Sequence, residues 1–179
     1  MKLKETLITL FAAALLGTLT WLWLAPAGLK DSPEITLLTI DGKELSLASL
    51  RGKPLLLTFW ATSCPGCIKE MPHLIELYEE LSPRGLEIIG VAMSYDKPSH
   101  VLSMRKARNI PYPVALDIHG AAAKAFGNVR LTPTSFLISP DGRIVFQKIG
   151  EMDMPKLRNN ILAMLKQASV SQPEHVGGS

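Results

Sequence analysis

The fold class this chain predicts is α/β, a central mixed β-sheet flanked by helices, and three observations predict it. An apolar run of strand length, Pro54–Trp60, is followed by Met71, Leu74, Ile75, Tyr78 and Leu81 at helical spacing. A second apolar run, Leu86–Ala92, follows that helix, and a helical crossover pairs two such strands in parallel. Near the C-terminus Thr134–Ile138 and Arg143–Ile149 flank Asp141-Gly142, the signature of an antiparallel hairpin, so the sheet is mixed.

The remaining elements follow in order. The 179 residues allow one ordinary domain and a modest extra segment. That segment is Met1–Ala25, in which Thr6–Ala25 carries no charge. At about 1.5 Å per residue it reaches about 30 Å, the thickness of a bilayer's hydrocarbon core. Lys2 and Lys4 favour a cytoplasmic N-terminus, and Trp21 and Trp23 suit the far interface, so a retained single-pass anchor is expected. A cleaved signal peptide is the competing reading, with Ala25-Pro26-Ala27 as its cleavage site, but the apolar stretch is longer than such signals carry. Residues 26–33 read as a polar linker. Ile35–Ile40 and Lys43–Leu47 read as a hairpin closed by a two-residue Asp41-Gly42 turn.

Pro72 falls inside the first long helix, where it removes a backbone hydrogen bond. A second helix opens at Asp96-Lys97-Pro98, with Asp96 or Ser99 as its cap, and ends before Pro111-Tyr112-Pro113. Val114–Asp117 is a short strand, and Gly120–Phe126 an alanine-rich helix stopped by Gly127. Asp153 and Pro155 open a last helix whose Leu157, Ile161, Met164, Leu165 and Ala168 share a face. The folded domain is thus expected over residues 34–168, with a disordered tail at 169–179. A net charge of +3, from 19 basic and 16 acidic residues, gives no basis for a nucleic-acid partner.

Both cysteines of the chain, Cys64 and Cys67, lie between the first strand and the first helix. At such a turn the orphan N–H groups and the helix dipole favour an anion, hence a thiolate at Cys64. Cys67, one turn on, can attack a mixed disulfide formed on Cys64. A structural disulfide would close too small a loop to constrain the unfolded chain much. A zinc site wants four ligands; no second Cys pair exists, and His73, His100 and His119 stand at no ligand spacing. Redox exchange is the strongest of the three readings.

The motif Phe59-Trp60-Ala61-Thr62, with Cys64-Pro65-Gly66-Cys67, Glu70-Met71-Pro72 and the distant Leu131-Thr132-Pro133-Thr134, resembles the thioredoxin superfamily. More narrowly, it resembles the membrane-anchored TlpA/ResA/CcmG-like thiol–disulfide oxidoreductases of the bacterial envelope, over roughly Ser32 to Ala168. The resemblance implies a thioredoxin-like fold with an N-terminal hairpin and a helix–strand insertion. It also implies Cys64 as attacking thiol, Cys67 as resolving thiol, and Glu70 as proton carrier in place of thioredoxin's buried aspartate, a position held here by Thr58. Thr132 and a cis Pro133, with Trp60, Ser63, Pro65 and Gly66 around the pair, are the implied substrate contacts. Ser63 departs from the family's usual tryptophan, and Pro65-Gly66 does not fix the direction of electron flow.

The expected protein is therefore a monomeric, membrane-tethered reductase facing the periplasm, with no cofactor beyond the Cys64–Cys67 disulfide and no metal. Its expected partners are protein disulfides, such as those of apocytochrome c or copper-site cysteines, and a membrane thiol electron donor. A thiol peroxidase is disfavoured because Ala61 stands where that chemistry asks for threonine or serine. A copper chaperone using both thiolates is the alternative of a different class, although such relatives carry a longer cysteine spacing.

Overall fold

The structure, a computed structural model, describes residues 15–16 and 30–171. The expected anchor therefore lies almost wholly outside the described residues, as do the first part of the linker and residues 172–179. Among the described residues no helix is long and apolar enough to cross a membrane.

Strands β1 (Thr36–Leu38) and β2 (Glu44–Ser46) form the N-terminal hairpin. The main sheet contains β3 (Leu55–Trp60), β4 (Glu87–Ala92), β5 (Val114–Leu116), β6 (Thr134–Ile138) and β7 (Ile144–Ile149) in the order β5-β4-β3-β6-β7. β3, β4 and β5 run parallel; β6 and β7 are antiparallel to their neighbours, so the sheet is mixed as expected. The helices are α1 (Pro65–Leu81), α2 (Pro98–Ala107), α3 (Ala121–Ala125) and α4 (Met154–Ser171). α2 and β5 form the expected helix–strand insertion between β4 and α3.

Every residue of β3 is buried, because successive side chains serve opposite faces and both faces are covered. Leu56 and Trp60 join a cluster with Cys67, Leu74, Leu137, Ile161 and their neighbours, beneath α1, α2 and α4. Leu55, Leu57 and Phe59 join the other, with Ala122, Phe126 and Phe136, beneath α3 and the hairpin. There the rings of Phe59, Phe126 and Phe136 pack with centroids 4.8–6.1 Å apart.

Four local expectations are corrected. The first hairpin does not turn in two residues: Thr39 N–H donates to Lys43 O at 2.8 Å, leaving a three-residue loop, Ile40–Gly42, with Gly42 at φ 77°. The extra residue has a use, since Ile40 N–H reaches Val114 O at 2.8 Å and ties the hairpin to the edge strand β5. Neither Asp96 nor Ser99 caps α2, which starts after Lys97 with no side-chain cap. The linker is not free throughout, because Ser32 N–H donates to Gly142 O and Ile144 N–H to Lys30 O, which holds residues 30–32 against β7. α4 runs past Ala168 to Ser171, while its start agrees with expectation, Asp153 Oδ1 accepting Lys156 N–H at 3.0 Å.

Candidate active site

β3 delivers the chain into a short turn, and α1 begins at Pro65, whose fixed φ and missing N–H suit a first helical position. Cys64 is the N-cap, and its Sγ accepts Cys67 N–H at 3.2 Å. The two sulfurs are joined at 2.10 Å, with Cα atoms 5.3 Å apart. Both cysteines are buried, Cys64 at 8% exposure and Cys67 at 5%. Pro65 and Ser63 are exposed beside Cys64.

The turn is held from below by a residue that sequence reasoning assigned elsewhere. Asp96 accepts Thr62 N–H at 2.5 Å on one carboxylate oxygen and Thr62 Oγ1–H at 2.8 Å on the other. Its place after β4 gave no sign of this, because the contact forms only when parallel β3 and β4 bring their C-terminal ends together. Asp117 acts similarly on α3: buried, it accepts Ala122 N–H at 3.0 Å and Ala123 N–H at 2.8 Å.

Opposite the cysteines stands the β6 loop. The Thr132–Pro133 bond is cis, Pro133 is buried and Thr132 half-buried. A Cβ added to Gly66 would lie 3.5 Å from Pro133 Cδ, so the cysteine turn and the proline loop approach closely. Pro133 O accepts Gly150 N–H at 2.8 Å, and Thr134 Oγ1 donates to Leu131 O at 2.7 Å. Among the described residues no backbone–backbone hydrogen bond engages Thr132, while neighbouring Leu131 is exposed.

Glu70 lies one turn after Cys67 and is 4% exposed. Its Oε1 accepts Met152 N–H at 2.7 Å, from the loop between β7 and α4. Burial pushes its carboxyl above the ordinary carboxylate value; the Met152 hydrogen bond opposes this, the Glu151 charge adds to it and His73 opposes it weakly. Glu151 itself pairs with Lys69 Nζ at 2.7 Å, so consecutive residues of α1 hold consecutive residues of that loop. Cys67, Glu70, Trp60 and Pro133 meet with Thr58 and Tyr112 around one small cavity. Burial, and then the Glu70 charge, raise the Tyr112 hydroxyl well above its ordinary value. Tyr112 and Met152 were not legible as site residues, one reading as a helix terminator and the other contributing only its backbone N–H.

Comparison with known proteins decides the family. Residues 29–147 match the AhpC/TSA family. A thiol–disulfide oxidoreductase, ResA, from Bacillus thuringiensis subsp. konkukian is 36% identical over 129 residues, covering 72% of this chain and 73% of that one. The chain belongs to this family and is a ResA-like thiol–disulfide oxidoreductase of the thioredoxin superfamily. ResA of Bacillus subtilis is 34% identical over 122 residues, covering 68% of this chain and 67% of its own. Among solved structures, a thiol:disulfide interchange protein of the thioredoxin family from Chlorobium tepidum superimposes with a TM-score of 0.71 at 28% identity. That match covers 78% of this chain and 98% of the other. StoA from Bacillus subtilis matches with a TM-score of 0.62 at 28% identity, covering 72% and 96%. The ResA-like assignment agrees with the site: a CxxC pair at disulfide distance, at the head of a helix. Among the described residues no group of three or more His, Cys, Asp or Glu is placed to hold a metal.

Proposed function

We propose that this protein is a membrane-tethered reductase of disulfides in envelope proteins, its catalytic domain facing the periplasm and its Cys64–Cys67 dithiol serving as the only redox group. The observation that carries the reading is the joined Cys64–Cys67 pair at the N-cap of α1, a turn away from the buried carboxyl of Glu70.

In the reduced protein the N-terminus of α1 favours a Cys64 thiolate. That thiolate attacks a partner disulfide, forming a mixed disulfide as one partner sulfur leaves. An extended partner segment pairs with the free backbone of Thr132 beside Pro133, which aligns its sulfur with Cys64. Trp60, Ser63, Pro65 and Gly66 shape the surrounding surface. Glu70, whose raised proton affinity follows from burial, accepts the Cys67 proton, and the Cys67 thiolate then displaces the partner. A membrane thiol carrier restores the dithiol. The apolar stretch Thr6–Ala25 supports the tether, and the ResA likeness supports envelope substrates; apocytochrome c thiols and copper-site cysteines are the two classes proposed, served by a monomer.

Replacing the resolving thiol tests this directly. The Cys67→Ser chain, expressed with its N-terminal segment, should accumulate mixed disulfides between Cys64 and envelope proteins in the membrane fraction. Recovery of monomeric protein alone, with Cys64 reactive and no adducts, would remove the reductase reading.

A further inference from the structure

The chain passes from β3 into α1 through a turn in which Cys64 N–H donates to Ala61 O at 3.1 Å, with Thr62 and Ser63 at its centre. A second turn, Met93–Asp96, follows β4 and is closed by Asp96 N–H donating to Met93 O at 2.9 Å. Two links join these turns. Met93 N–H donates to Trp60 O at 3.0 Å, and the Asp96 carboxylate takes both polar groups of Thr62, its N–H at 2.5 Å and its hydroxyl at 2.8 Å. Thr62 and Asp96 are both half-buried, where a hydrogen bond is stronger than in open water.

The disulfide fixes the same turn by joining Cys64 to Cys67. Reduction removes that join and leaves the Asp96 contacts to keep the turn in shape. What depends on the shape is charge. Cys64 Sγ accepts Cys67 N–H at 3.2 Å at the head of α1, and that donor steadies a negative sulfur only while Cys64 keeps its N-cap position. The Asp96 carboxylate cannot favour a thiolate through its own charge, because like charges repel. Its use to the sulfur is therefore geometric.

We propose that Asp96 is a positioning residue for the attacking thiol: its two bonds to Thr62 hold the reduced turn so that Cys64 Sγ stays on Cys67 N–H and carries its negative charge there. The inference rests on the role given to Cys64 above and names what keeps that sulfur reactive once the disulfide has opened. A carboxylate makes hydrogen bonds roughly twice as strong as a neutral acceptor does, which suits a clasp that must work without the covalent link. With the clasp gone, the turn relaxes, the N–H leaves the sulfur, and the Cys64 thiol moves toward the ordinary cysteine value of about 8.5. The titratable groups around the pair are Cys67 and Glu70 on α1, Tyr112 before β5, Asp96 after β4, and Glu151 after β7 with its α1 partner Lys69. Thr62→Val leaves every one of them in place and removes a hydroxyl alone, so a changed Cys64 titration in that variant reports geometry and not charge.

The test follows the rate at which iodoacetamide alkylates the reduced full-length protein as pH is varied, with mass mapping of the labelled cysteine. The Cys64 thiolate displaces iodide, so the midpoint of the profile reports the thiol's proton affinity. Thr62→Val should move that midpoint up by about one pH unit, a tenfold loss of thiolate below it, and Thr62→Ser should return it to the parent value. Asp96→Ala should raise it too, even though a negative charge has gone. Asp96→Asn, whose amide oxygen can accept Thr62 N–H and whose amide nitrogen can donate to Thr62 Oγ1, should leave it no higher than in the parent. Parent-like alkylation midpoints in Thr62→Val and Asp96→Ala overturn the proposal, whatever happens to their urea stability, because the clasp then serves the fold alone. A midpoint that falls as far in Asp96→Ala as in Asp96→Asn overturns it as well, the residue then acting through its charge. Should the parent be alkylated first at Cys67, the reading of Cys64 as the attacking thiol falls, and this inference with it.

Discussion

At the scale of single residues, the buried carboxyl of Glu70 carries the sharpest consequence for stability. Its folded-state proton affinity is raised above the ordinary value of 4.5, with burial as the first cause. A group raised in this way favours the folded state while protonated, and that contribution fades as pH climbs from about the unfolded value through the folded one. Ionisation of the carboxyl as pH rises thus works against the fold, and the Met152 hydrogen bond only partly offsets it. Glu70→Gln keeps an oxygen for Met152 N–H and removes the charge. The oxidised Glu70→Gln variant should unfold at a higher urea concentration than the parent at pH 7, with the gap closing below about pH 4.5. A parent at least as stable at pH 7 would mean that the carboxylate is solvated in the fold. That Glu70 would be buried was not visible in its position alone; an early helical glutamate is as easily a surface charge, and its burial depends on the loop at Met152, far along the chain.

Among the elements, the two hairpin loops show what turn chemistry does and does not reveal. Both Asp-Gly pairs mark hairpins, as their sequence predicts, yet each closes through three residues, Ile40–Gly42 and Pro140–Gly142. The glycines sit at φ 77° and 86°, where a three-residue loop needs a left-handed residue in its last position. The sequence shows the need for such a residue but not the loop length, because length is set by contacts elsewhere, such as Ile40 on Val114. The loops part company in what surrounds the glycine. A Cβ on Gly42 meets nothing within 4 Å, whereas one on Gly142 would run into the Arg51 guanidinium, which hydrogen-bonds Asp141 O. Gly42→Ala should therefore cost only the left-handed backbone term, about 1–2 kcal/mol. Gly142→Ala should cost that and the Arg51 contact, about 0.5–1.5 kcal/mol more. Urea midpoints of the two variants, measured side by side, check the order; equal losses would show that Arg51 simply moves aside.

Taken as a whole molecule, the domain is organised around β3, and that much was legible early: a strand apolar at every position but Thr58 must be covered on both faces, which demands helices or their equivalent on each side. What could not be read was which face each distant segment would serve. Tertiary contacts alone bring residues 30–32 onto β7, the hairpin onto β5 and Asp96 under the cysteine turn. Six ion pairs among the described residues lie at the surface, where each contributes about 0–1 kcal/mol, so the two apolar clusters dominate stability. Those clusters are not independent, because β6 feeds one with Leu137 and the other with Phe136, and both residues are 0–2% exposed. Loss of packing on the face away from the cysteines should therefore loosen the face that carries them. Phe136→Ala removes a ring packed edge-on to Phe59 and tilted against Phe126 and should cost about 3–5 kcal/mol. In a background with Trp21 and Trp23 replaced by Phe, Trp60 reports the opposite face, since it packs in the cluster with Cys64 and Cys67. Its fluorescence and the far-UV circular dichroism of Phe136→Ala should fall in one transition at a lowered urea midpoint. A Trp60 signal that persists after the dichroism has collapsed would show that the active-site face holds together without the other, and that the sheet does not couple them.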